Sequence, residues 1–245
     1  MTALLLAALG CTGPREADTA GPPGIDTAVD PALLCPFGAA RSDGTRDVHG
    51  YLYGDGDTDP LAGATVTACG TSSPSVVTDA SGAWTLPLED REWVVVEQVY
   101  AGRVPNRCVF DPAVEGADGA PPYRIGMGSF DVEDFPMAHL GILPEEGATW
   151  VDVDALDDVT GQDLAGATID ITAPYDAAVT QDLDGAFVLG NVTNGVYDIL
   201  FANVPPVPFD IVVTHPDKTV CRVPGTIVGA GNDQLNLSVY CREAE

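Results

Sequence analysis

The chain has 245 residues, 45% of them hydrophobic, enough to build a core and too many for a disordered acidic tail. Its 37 Asp and Glu against 10 Lys and Arg give a formal charge of −27. That balance excludes a phosphate-reading nucleic-acid binder and a basic membrane-docking surface, and keeps the chain soluble through self-repulsion.

The first residues, MTALLLAALGC, hold an apolar run that ends in small residues and a cysteine. The run is far shorter than the roughly 20 residues that span a bilayer. ALGC resembles the lipobox of bacterial lipoproteins, with Ala8 where leucine is usual and no Lys or Arg ahead of the run. The resemblance implies removal of residues 1–10 and acylation of Cys11. It also implies export to the outer membrane or cell surface, with membrane contact only through the lipid. Residues 11–34 follow as a Pro-, Gly-, Asp- and Thr-rich stretch without apolar patterning. A flexible tether of that length reaches about 25 Å.

Past the tether, short alternating runs bounded by Gly, Pro and Asp replace any sustained helical period, which predicts an all-β fold. The string LAGAT occurs at Leu61–Thr65 and again at Leu164–Thr168, and the match extends without a gap over 61–86 and 164–189. Ala64, Val66 and Ala68 in one copy, and Ala167, Ile169 and Ile171 in the other, share one face of a strand. TDASGAW and QDLDGAF then read as Asp/Gly hairpin turns that each lead into an aromatic residue. Two copies are too few for a solenoid, so each is expected to be a small independent sandwich, over 35–146 and 147–245.

The ordered series of LAGATV, TDASGAWTL and a further strand resembles the carboxypeptidase regulatory-like domain, a transthyretin-like β-sandwich. The likeness covers 47–99 and 150–204. It implies two tandem transthyretin-like sandwiches without peptidase activity, serving as structural, spacing or binding modules. Such a likeness licenses a fold and no reaction.

Six cysteines suit an oxidising compartment. With Cys11 set aside, Cys221 and Cys241 flank a plausible hairpin and are expected to pair. Cys35, Cys69 and Cys108 allow one bond among themselves. Cys69 aligns with the outward-facing Thr172, which suits a partner arriving from outside such as Cys35, with Cys108 as the competitor.

Candidate sites are few. Asp55, Asp57 and Asp59 in GDGDTDP have the spacing that begins a calcium loop, but Pro60 and Val66 stand where an EF-hand needs Gly and Glu. A solvated acidic turn is the simpler reading. His49, His139 and His215 lie far apart and form no metallopeptidase pattern. Trp84, Trp93 and Trp150 could stack on sugars, although alignment makes Trp84 and Trp93 core residues. No catalytic or cofactor motif is present, so the sequence predicts a non-catalytic exported module for a protein or glycan ligand. A carbohydrate-binding surface protein is the alternative. The places where the copies differ are GDGDTDP, EGADGAPPYR (115–124) and NVPPVPFD (203–210), and function is expected there.

Overall fold

The structure is a computed structural model that describes residues 30–35, 38–54, 59–69, 75–116, 122–128, 137–182, 184–196 and 198–244. Cys11, Asp55 and Asp57 lie outside these residues. A short helix, Pro31–Leu34, is capped by Asp30, whose side chain accepts from the Ala32 amide. No described helix is long and apolar enough to cross a membrane.

The rest is all-β, as the patterning predicts. The first half holds β1 (Ala40–Tyr53), β2 (Thr65–Ala68), β3 (Val76–Val77), β4 (Ala83–Arg91), β5 (Val94–Val99), β6 (Asn106–Phe110) and β7 (Tyr123–Gly126). The second holds β8 (Thr149–Asp157), β9 (Ala165–Ile171), β10 (Ala177–Gln181), β11 (Phe187–Leu189) and β12 (Val192–Asn194). It continues with β13 (Ile199–Val204), β14 (Ile211–Thr214), β15 (Val220–Arg222) and β16 (Asp233–Arg242).

These strands form a ten-stranded sheet flanked by two three-stranded ones. The large sheet runs β11-β10-β13-β8-β16-β6-β5-β2-β3, with β15 also paired to β16. The small sheets are β4-β1-β7 and β12-β9-β14. The two halves are therefore joined rather than independent. Strand β16 lies between them, parallel to β8 on one side and to β6 on the other. Parallel strands bury both faces, and all but the last residue of β16 is buried. Likewise β5 and β6 give Val94, Val96, Cys108 and Phe110 to the first core, and Val95 and Val109 to the second.

The LAGAT strands keep their inward faces: Ala64, Val66 and Ala68 are buried, and so are Ala167, Ile169 and Ile171. Gly63 and Gly166 hold φ of 86° and 88°, a left-handed turn that any side chain would strain. In both copies a threonine hydroxyl clamps the turn. Thr78 bonds the Ala64 amide and Leu61 carbonyl; Thr193 bonds the Ala167 amide and Leu164 carbonyl.

Pairing departs from the gapless repeat. Strand β2 joins β3 and β5 in the large sheet, whereas β9 joins β12 and β14 in a small one. QDLDGAF makes the expected hairpin between β10 and β11. TDASGAW instead passes the chain from one sheet to another, since β3 pairs with β2 and β4 with β1. The reason is that a period of two fixes which face is buried and leaves the partner to tertiary context.

Candidate functional site

The two halves meet over a row of polar side chains in the middle of the large sheet. Alternation on β8 sends Val151, Val153 and Ala155 into the second core and turns Asp152 and Asp154 to the opposite face. On β16, Leu235, Leu237 and Val239 go to that same core, while Asn236 and Ser238 turn with the aspartates. Register then sets Asn236 beside Asp152 and Ser238 beside Asp154. Asp198 enters from the segment just before β13, where the β13–β8 register brings it next to Asp154.

The first half closes this row from above. Glu115, from the turn after β6, and Tyr123, Arg124 and Ile125 of β7 complete a cavity of about 60 Å³. That is room for a small ion and a water or two, too small for an organic substrate.

The cavity is acidic and poorly solvated. Burial pushes the Glu115 carboxyl up to about 7, against the hydrogen bonds from Tyr240 and Ser238 that favour its charged form. Tyr240 Oη lies 2.5 Å from Glu115 Oε1 and 2.8 Å from the Asp111 amide nitrogen, which donates to it. Burial raises Asp152 well above the usual carboxylate range, with the Asp198 charge adding to it. Asp154 is raised the same way, by burial first and then by Asp198, to which it is also hydrogen-bonded. Asp152 Oδ1 is buried and has no hydrogen-bond partner among the described residues. Deeper in the sheet, Asn236 Nδ2 donates to Asn106 Oδ1 at 2.5 Å, extending the polar row to β6.

Around the cavity the halves are pinned by charge. Asp111, with no exposed side-chain surface, takes Arg41 at 2.5 Å and Arg222 at 2.9 Å. Arg222 also pairs with Asp158 and stacks over the rings of Trp93 and Tyr240.

The other expected residues lie elsewhere. Cys35 is bonded to Cys69, and Cys221 to Cys241, its direct neighbour across β15 and β16. Cys108 is a buried free thiol, and burial pushes its pKa up, which makes it a poor nucleophile. Asp59 is exposed, and its carbonyl accepts from the Gly54 amide. The histidines do not converge. His49 bonds Thr85, His139 the Phe187 carbonyl, and His215 the Ala165 carbonyl. Trp84 and Trp93 are core residues, and Trp150 is half-buried. NVPPVPFD is fastened at both ends: Phe209 is buried, and Asn203 bonds the Leu143 carbonyl, Asp176 and the Glu145 amide.

No family model matches the chain, and no curated protein does. Solved structures give only distant likenesses. The Bacillus anthracis TIE protein is 10% identical with a TM-score of 0.26, over 82% of this chain. This chain spans about a third, 34%, of that protein's length. The shaft pilin SpaA from Lactobacillus rhamnosus GG is 14% identical with a TM-score of 0.27, over 82% of this chain and 99% of the pilin. A streptococcal ancillary pilin is 12% identical with a TM-score of 0.24, over 82% of this chain and 62% of its own. Likeness at that level carries no statement about function.

No motif in the sequence singles out Asp152, Asp154 or Asp198. Of the segments in which the two copies differ, EGADGAPPYR contributes Glu115, Tyr123 and Arg124 to the cavity.

Proposed function

We propose that the chain is a non-catalytic structural or binding module of the bacterial cell envelope, exported and lipid-anchored at Cys11. It would be built on two carboxypeptidase regulatory-like sandwiches. The observation that carries this reading is the pair of disulfides, Cys35–Cys69 and Cys221–Cys241, since such bonds persist in oxidising compartments. Cys35 closes the end of the proposed tether, so a pull on the lipid would enter the fold at β2 through a covalent bond. The test is fractionation and mass spectrometry of the chain produced in a bacterium. The expected product begins at an acylated Cys11 in the membrane fraction, and Cys11→Ala moves it to the soluble fraction. An intact, unacylated chain from Met1 overturns the reading.

One observation favours a carbohydrate-binding function. Tyr51 and Tyr53, on the same outward face of β1, hold their rings 6.2 Å apart and 23° from parallel. The Arg124 guanidinium lies 5.3 Å from the Tyr53 ring and 5.9 Å from that of Tyr51. Stacked rings beside a cation suit a pyranose carrying an acidic group. A glycan array should then show binding that is lost on Tyr51→Ala and Tyr53→Ala. An array without signal removes this reading.

A further inference from the structure

We propose that Glu97 guards the Cys35–Cys69 disulfide against exchange with external thiols, by placing a carboxylate beside the sulfur that must leave. This goes beyond the structural reading above and does not depend on the lipid anchor.

The placement follows from strand patterning. Alternation on β5 sends Glu97 to the same side as Val95, the side on which Cys69 and Cys35 pack. Glu97 stands opposite Thr67 of β2, and the Cys69 amide donates to the Val95 carbonyl at 2.9 Å. Cys69 Sγ then lies 3.4 Å from Glu97 Oε1. Among the described residues, Cys35, Cys69 and Glu97 are the one Cys/His/Asp/Glu group with ligand atoms within 4.8 Å of one another. Because the two sulfurs are bonded to each other, neither is a thiolate, and the group does not make a metal site. Arg107 donates to the Leu34 carbonyl, 4.0 Å from Cys69 Sγ, but its charge is paired with Asp233.

The two ends of the bond differ. Cys35 is half-buried and Cys69 only 3% exposed, so an incoming thiolate meets Cys35 first. Its sulfur bonds to Cys35 Sγ, the Cys35–Cys69 bond breaks, and the electron pair departs on Cys69 Sγ, which takes a proton from water. A second external thiolate then releases Cys35. The protein disulfide gains two electrons, and the two external thiols lose them as they join. Exchange slows when the departing thiolate is disfavoured, and a fixed carboxylate 3.4 Å away in a partly buried site disfavours it. What is protected is the foothold of the proposed tether. With the bond open, the short helix would be held by the Val228 amide on Leu33 at 3.2 Å and by Arg107 on Leu34 at 2.8 Å.

The test exposes the full oxidised chain to 2-mercaptoethanol at pH 8 and quenches samples with acid and N-ethylmaleimide. Peptide mass spectrometry then reads the state of each cysteine. Cys221–Cys241, followed in the same samples, is the internal control. Glu97→Gln should speed the opening of Cys35–Cys69 about tenfold and leave Cys221–Cys241 unchanged. Glu97→Asp, which keeps the charge, should restore most of the protection. In the native chain the first mixed disulfide should sit on Cys35, a reading that stands even if Glu97→Gln does not fold. A Glu97→Gln rate within about twofold of the native rate overturns the proposal. So does equal acceleration of both bonds, the mark of a loosened fold, or a first mixed disulfide on Cys69.

Discussion

Arg107 donates to Asp233 Oδ2 from Nε at 3.0 Å and from Nη2 at 2.7 Å, although 126 positions separate them in the chain. Their side chains are 6% and 5% exposed. Arg107 also reaches the carbonyls of Leu34 and Val228, and Asp233 accepts from Thr149 Oγ1 at 2.5 Å. One pair thus gathers the end of the tether, both halves and the start of β16. Asp233→Ala would leave a buried guanidinium uncompensated and should cost about 3–5 kcal/mol in urea unfolding. Replacing both partners by Leu and Met should cost much less, which a double-mutant cycle would show as strong coupling.

Stability should fall as pH rises through the neutral range. Glu115 goes from an ordinary 4.5 to about 7 in the fold, so between these values the folded chain holds more protons than the unfolded one. Stability is then lost as pH climbs from about 4.5 towards 7 and levels off above, a change on the order of 3 kcal/mol. Asp152 and Asp154, raised by burial, act in the same direction. Glu115→Gln should flatten the profile measured by urea midpoints at pH 5 and 8. Asp157 works the other way, lowered to about 2 by its bonds to Thr160, Val159 and Lys218 against a desolvation that opposes them. Its contribution is present above its ordinary 3.8 and fades only in strong acid, outside this window.

The free thiol offers a third check. Cys108 is fully buried, with Gln98 Oε1 at 3.6 Å and Asn106 Oδ1 at 3.5 Å. It should resist a thiol reagent in the native state and react fully in denaturant. Substituting Ala at both Cys221 and Cys241 should cost about 3 kcal/mol, the usual size for a loop of some twenty residues.

Gly50 faces Trp84 across β1 and β4, and a Cβ there would come within 2.3 Å of the indole. Gly50→Ala should cost about 1–3 kcal/mol by overpacking. Adding Trp84→Leu should recover part of it, and thermal melts of the three variants would decide.

Much of the architecture could be read from the chain because strand patterns report burial directly. Ala64, Val66 and Ala68, and Ala167, Ile169 and Ile171, declare their inward face, and Gly63, just ahead of β2, and Gly166, at the second residue of β9, declare the tight entry into each. The cavity was hidden by the same rule. In WVDVDAL and QLNLSVY the alternate polar residues look like a solvent face. Only when β8 and β16 become parallel neighbours, roofed by Glu115 and β7, does that face turn inward. Nothing in either stretch names the other as its partner. The swapped pairing of β2 and β9 was unreadable for a related reason: identical strings carry identical faces, while their neighbours come from elsewhere in the fold.

The placement of β16 also sets an order on assembly. Neither β6 nor β8 has its parallel neighbour until residues 233–242 are available, so the sheet cannot close progressively from the amino end. A nascent or translocating chain would carry two open strand edges throughout, each a template for intermolecular pairing. Truncation ahead of Asp233 should therefore yield an aggregating chain rather than two smaller folded units.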